Sequence, residues 1–114
     1  MHDHREVEAH AKTIIRKLGE ALPETAAAFG QLQQATFKDG ALDKKTKELI
    51  ALGIAVAEGC DGCMAWHNSA LHRLGAARAE VAEAVGVAVE MGGGVSLYGA
   101  AKALEGFDRF SEGA

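Results

Sequence analysis

From Val7 to Phe107 the apolar residues of this chain return every three or four positions, and nowhere do they alternate over the length of a strand. Val7, Ala11, Ile14, Ile15, Leu18 and Leu22 follow that spacing across residues 5–22. Pro23, the single proline, closes this segment and suits the first turn of a second one, which carries Ala27, Phe29, Leu32 and Phe37. The second segment stops at the Lys38-Asp39-Gly40 turn, and Asp43 is placed to cap a third helix from Lys44 to about Glu58. The middle of that helix, Leu49 to Ala57, is apolar nearly all round, so it is expected to be buried on most sides. Gly59 is a stop signal; a fourth helix restarts at Cys60 and runs to Leu74, with Gly75 as its cap. A fifth covers roughly Arg78 to Met91, with Val81, Val85 and Val89 inward. The Gly92-Gly93-Gly94 run reads as a tight junction before a sixth helix, about Ser96 to Phe110, which brings Leu97, Ala101, Leu104 and Phe107 at helical spacing. The expected architecture is all-α: a compact bundle of about six helices, one domain over residues 1–114.

Composition narrows the function classes. The chain has 114 residues, 48% hydrophobic and 25% charged, a balance that can bury a core. A net charge of −4 and no basic run give nucleic-acid binding no electrostatic support. No apolar stretch is long enough to cross a bilayer, and the polar opening MHDHREVEAH lacks the apolar core of a signal peptide. A cytoplasmic protein with no membrane partner is therefore expected. The apolar surplus is large for a lone chain of this size, and abundant alanine permits close helix contacts. Self-association is the expectation; alanine filling a monomer's core is the alternative.

In a reducing compartment, Cys60 and Cys63, the only two cysteines, point to redox chemistry or metal binding rather than a staple. On a helical wheel with Cys60 at zero, Cys63 falls at about 300° and His67 at about 340°. The three share a stripe where a helix begins, and Cys63 and His67 have the four-residue spacing at which side chains touch. Unpaired N–H groups and the helix dipole there favour a thiolate. An imidazole one turn along can take the thiol proton, and a second cysteine can capture an oxidised sulfur as a disulfide. Asp61 opposes this unless it points to solvent or is engaged elsewhere.

Zinc is the alternative for the same residues. Cys60, Cys63 and His67 supply three ligands, but a structural site needs a fourth. His72, the nearest in sequence, lies about 140° around the helix from His67. A thioredoxin-type site would need a strand before the helix, where this chain has a helix. Trp66 and Tyr98 read as packing residues, and His2, His4 and His10 as members of a mobile N-terminus. The triple glycine is no phosphate cradle, since neither strand nor P-loop lysine accompanies it.

Taken together, the segment Leu42 to Ile50, the Cys60-x-x-Cys63-x-x-x-His67 element, Gly75 and the Met91-Gly92-Gly93-Gly94 stretch resemble the carboxymuconolactone decarboxylase superfamily, and within it the AhpD-like alkylhydroperoxidases. The resemblance covers about residues 25–105. It implies a helical fold assembled as homotrimers or homohexamers, with no cofactor and no metal. It implies further that Cys63 forms the sulfenic acid, that Cys60 resolves it, and that His67 and Glu48 relay protons. The implied partners are a small hydroperoxide and an external dithiol reductant, in the best-known members a lipoylated protein. One departure is Gly62, which stands where better-known members carry a second histidine. Glu48 otherwise reads equally as a solvated first-turn carboxylate beside Lys44, Lys45 and Lys47. Twelve residues of helix span about 18 Å, so Glu48 reaches His67 only if the fourth helix folds back across the third.

The function expected is thiol-dependent peroxide reduction in antioxidant defence. The alternatives are a zinc-stabilised or structural oligomer without turnover, and decarboxylation of a lactone acid.

Overall fold

The computed structural model describes residues 3–112, arranged as α1 (His4–Ala21), α2 (Pro23–Phe37), α3 (Lys44–Glu58), α4 (Asp61–Arg73), α5 (Arg78–Gly92) and α6 (Gly94–Glu112). No strand occurs among the described residues. The helix limits follow local chemistry. Asp43 accepts the Thr46 N–H at 2.7 Å and so caps α3, as its position in the sequence predicts. Gly59 ends α3 in the left-handed region at φ 70°, a conformation that costs any other L-residue a steric clash. Gly93 makes the junction between α5 and α6 with the same positive φ of 70° but with ψ −149°, an extended conformation open in practice only to glycine.

Helices α3 to α6 form the body. Leu52, Ala55 and Val56 of α3 meet Met64 and Leu71 of α4, Val81, Val85 and Ala88 of α5, and Ala100, Ala103 and Phe107 of α6 in one core. Removing the side chain of Leu52 or Leu71, both wholly buried, is expected to cost about 2–5 kcal/mol. α1 lies across α4 and α6, and α2 returns to touch the start of α3.

The apolar stripes of this pair of helices are largely uncovered. Ile14, Ile15 and Leu18 of α1, Leu22 between the two helices, and Phe29 and Leu32 of α2 are exposed. α3 departs from the sequence expectation of burial on most sides: Ile50 and Ile54 stand 49% and 53% exposed. Leu97 and Ala101 of α6 also face out. Helical spacing identifies an apolar face but not what covers it, and one chain has too few elements to cover all of these. The radius of gyration, 14.1 Å against about 13 Å for a domain of this length, reflects the projecting α1–α2 pair.

The N-terminal segment is anchored. Histidine 4 is buried, not mobile: Asn68 Nδ2 donates to its Nδ1 at 3.2 Å and to the Ala103 carbonyl at 2.8 Å. Gly106 makes the room, since a Cβ there would overlap the imidazole. His10 is exposed, and His2 lies outside the described residues. Tyr98, expected to be half-buried, is exposed, with Lys102 Nζ 5.1 Å above its ring.

Candidate active site

The cysteine pair is placed by a helix stop and an immediate restart. After Gly59 the chain turns extended at Cys60 (φ −97°, ψ 99°), which is the N-cap of α4 rather than its first helical residue. The wheel position assigned to Cys60 therefore does not apply, while those of Cys63 and His67 do. Cys60 Sγ accepts the Cys63 N–H at 3.1 Å, and the two sulfurs are joined as a disulfide between Cα atoms 5.2 Å apart. Here the capping position and the dithiol are one structure: the N-cap places its sulfur over the third helical residue, which is the other cysteine. Cys63 is exposed and Cys60 partly so, leaving the pair open to an outside reagent.

One turn beyond Cys63, His67 points back to α3. The α3–α4 hairpin folds so that Glu48, only 6% exposed, lies against it. His67 Nδ1 and Glu48 Oε1 are 2.6 Å apart, a short charge-assisted contact. Glu48 is thus no solvated first-turn carboxylate. Its stripe-mates Leu52, Ala55 and Val56 are in the core, and the same register turns Glu48 inward. A carboxylate oxygen can only accept, so a hydrogen on Nδ1 would be donated to Glu48, with Nε2 the ring nitrogen turned away from this contact. Phe37 at the end of α2 flanks the imidazole, ring centroids 5.9 Å apart.

Asp61, the acid between the cysteines, is engaged: Lys102 of α6 donates to its Oδ1 at 2.8 Å. This pairing offsets a negative charge that would otherwise raise the cost of ionising either thiol. Lys102 gives no local sequence signal, since it is 41 residues away and meets Asp61 only because α6 packs on α4.

A cleft of about 400 Å³ opens beside the Glu48–His67 pair, between α2, α3 and α4. Glu48 and His67 lie in its floor, Phe37, Trp66 and Leu74 give it apolar walls, and Lys38, Lys44 and Arg73 line it. Trp66 is therefore a wall of this cleft rather than a core residue. The cationic lining went unread in the sequence, although Lys44 sits one turn before Glu48. Among the described residues no three His, Cys, Asp or Glu side chains converge as a metal site. Of the three ligands the zinc alternative would use, the sulfurs are bonded to each other and His67 to Glu48.

Helical order, cysteine pair and relay together invite comparison with known proteins. Residues 23–106 match the sequence model of the carboxymuconolactone decarboxylase family. The chain belongs to that family. A carboxymuconolactone decarboxylase family protein of Legionella pneumophila, solved in its apo form, superposes with a TM-score of 0.92 at 48% identity, covering 95% of this chain and 96% of that one. A carboxymuconolactone decarboxylase family protein of Thermotoga maritima, for which a part in an antioxidative response has been suggested, superposes with a TM-score of 0.77 at 28% identity over 88% of each chain. An uncharacterised protein of Cupriavidus necator is 43% identical over 91 residues, 80% of each chain. The carboxymuconolactone decarboxylase family fold is thus all-α here, as the helical periodicity predicts. No helix among the described residues is long and apolar enough to cross a membrane.

Proposed function

We propose that this member of the family is an AhpD-like thiol peroxidase that reduces alkyl hydroperoxides. The observation that carries the reading is the arrangement at the start of α4: Cys60 bonded to Cys63, Cys63 one helical turn before His67, and His67 on buried Glu48. Cys63 thiolate attacks the distal peroxide oxygen; the O–O bond breaks, the alkoxide takes a proton from the His67 side, and Cys63 becomes a sulfenic acid. The Cys60 thiol then loses its proton and attacks that sulfur; an S–S bond forms, the S–O bond breaks, and the hydroxide takes up the proton and leaves as water. Two electrons pass from the two thiols to the peroxide. An external dithiol, such as a lipoylated protein, returns both sulfurs to thiols by exchange.

Self-association belongs to the same proposal. The uncovered apolar faces of α1, α2 and α3 support self-association, and the likeness to AhpD-like proteins suggests homotrimers or homohexamers.

The test is steady-state turnover of tert-butyl hydroperoxide with a dithiol reductant. The wild-type protein is expected to turn over, and Cys63→Ser to lose turnover. A Cys63→Ser protein of full activity would overturn the assignment. The decarboxylase chemistry in the family's name would instead survive a double Cys→Ala change.

A further inference from the structure

The cleft beside His67 holds charge that the proton relay does not use. Across the molecule, Arg5, Lys12, Lys45, Arg78, Lys102 and Arg109 form ion pairs with carboxylates. Of the six cations with no carboxylate partner among the described residues, Lys38, Lys44 and Arg73 line this one cleft, while Arg16, Lys17 and Lys47 lie outside it. The three in the cleft come from three different helix ends, α2, α3 and α4, so no local run of sequence brings them together. The acid in the lining, Glu48, is turned to His67. In a chain of net charge −4, this is a local field of the opposite sign, focused by a concave wall.

Arg73 is partly pre-set. Its Nη1 donates to the Oγ of Ser69 at 2.7 Å, and Ser69 is buried. That bond steadies one edge of the guanidinium and leaves its other donors for a ligand. Phe37, Trp66, Ala70 and Leu74 supply the apolar part of the lining, which Gln33 and Gln34 share. Arg73 stands ten residues beyond Cys63 on α4, about 15 Å of helical rise.

We propose that this cleft binds the carboxylate of a chain-bearing organic acid, and that the hydroperoxides reduced at Cys63 are hydroperoxy acids of that class. The carboxylate sits on Lys44 and Arg73, with Lys38 adding to the field. The hydrocarbon lies along Phe37, Trp66 and Leu74 and carries the hydroperoxide past His67 toward Cys63, which stands one helical turn from His67 and outside the cleft lining. The chemistry rests on the peroxidase reading above; the binding of the acid does not.

Trp66 is the single tryptophan, so its fluorescence reports on the cleft itself. Titration with decanoate at low salt is expected to give a saturable change that methyl decanoate does not give. In the Lys44→Met/Arg73→Met double variant the decanoate affinity is expected to fall about tenfold or more, the loss of one or two charge-assisted hydrogen bonds. No saturable change, equal binding of acid and ester, or an unaltered affinity in the double variant would each overturn the proposal. The kinetic arm compares ω-hydroperoxydecanoic acid with its methyl ester. In wild type the kcat/KM of the acid is expected to exceed that of the ester about tenfold, the kinetic counterpart of the binding difference, with the ratio approaching one in the double variant. Equal turnover of both in wild type contradicts the acid specificity while leaving the peroxidase reading intact. Saturable decanoate binding with no turnover of either hydroperoxide does the reverse.

Discussion

His67 Nδ1 rests 2.6 Å from Glu48 Oε1, across nineteen residues of chain and two different helices. The pair exists because α3 and α4 form a tight hairpin around Gly59, and because the register that puts Leu52 and Val56 in the core turns Glu48 toward α4. A carboxylate fixed on Nδ1 holds the imidazole in one orientation and keeps Nε2 available for proton transfer.

Glu48→Gln keeps a hydrogen-bond acceptor for the ring but removes the charge. It is expected to lower kcat/KM for hydroperoxide by about tenfold, and His67→Asn by about a hundredfold, the usual range for a lost acid–base group. Because Glu48 acts through His67, the double variant is expected to be no slower than His67→Asn alone. Two losses that simply multiply in the double-variant cycle would show that the groups act separately.

The Asp61–Lys102 bond makes a different prediction. Lys102→Met leaves Asp61 uncompensated beside both sulfurs, and the reduced protein is expected to react with iodoacetamide about two- to fivefold more slowly at neutral pH, as befits a partly exposed pair. Adding Asp61→Asn to Lys102→Met is expected to restore the rate. Alkylation rates that ignore both changes would remove Asp61 from the account.

Much of this site could be read in the sequence. Asp43, Gly59 and Gly75 mark helix limits chemically, so α3 and α4 emerge where their caps put them. The stripe of Cys63 and His67 follows from helical spacing alone. What the sequence hides is non-local. Lys102 meets Asp61, and Arg73 joins Lys38 and Lys44, only through packing of separate helices. Ile50 and Ile54 read as core because periodicity reports an apolar face without saying whether the same chain covers it. His4 reads as a terminal residue because nothing near it announces the Asn68 and Gly106 pocket.

That pocket gives stability a pH dependence. Burial holds His4 below the usual histidine value, against the opposing pull of Asp61, Asp3 and Glu105 and alongside the repulsion of Lys102. The unfolded chain then takes up a proton on His4 before the folded one does. Stability from this residue is complete above about pH 6.5 and is lost as the pH falls toward the lower folded value. Asp3, Asp43 and Glu80, held low by hydrogen bonds to Arg5, Thr46 and the Ala77 N–H respectively, act only in a lower window, below about pH 4. Thermal melts between pH 8 and 5 are expected to show wild type losing more than His4→Gln, which keeps an acceptor for Asn68 without a titrating ring. Parallel losses in the two proteins would contradict the assignment.

The dithiol at the start of α4 is the centre of the account, and intact-protein mass spectrometry reads it most directly. Reduced protein given one equivalent of alkyl hydroperoxide is expected to lose two hydrogens as Cys60 and Cys63 join. Cys60→Ser is expected instead to gain one oxygen on Cys63, and Cys63→Ser to stay unchanged. Wild-type protein that keeps both thiols under these conditions, or a Cys63→Ser variant oxidised at the same rate, would contradict it.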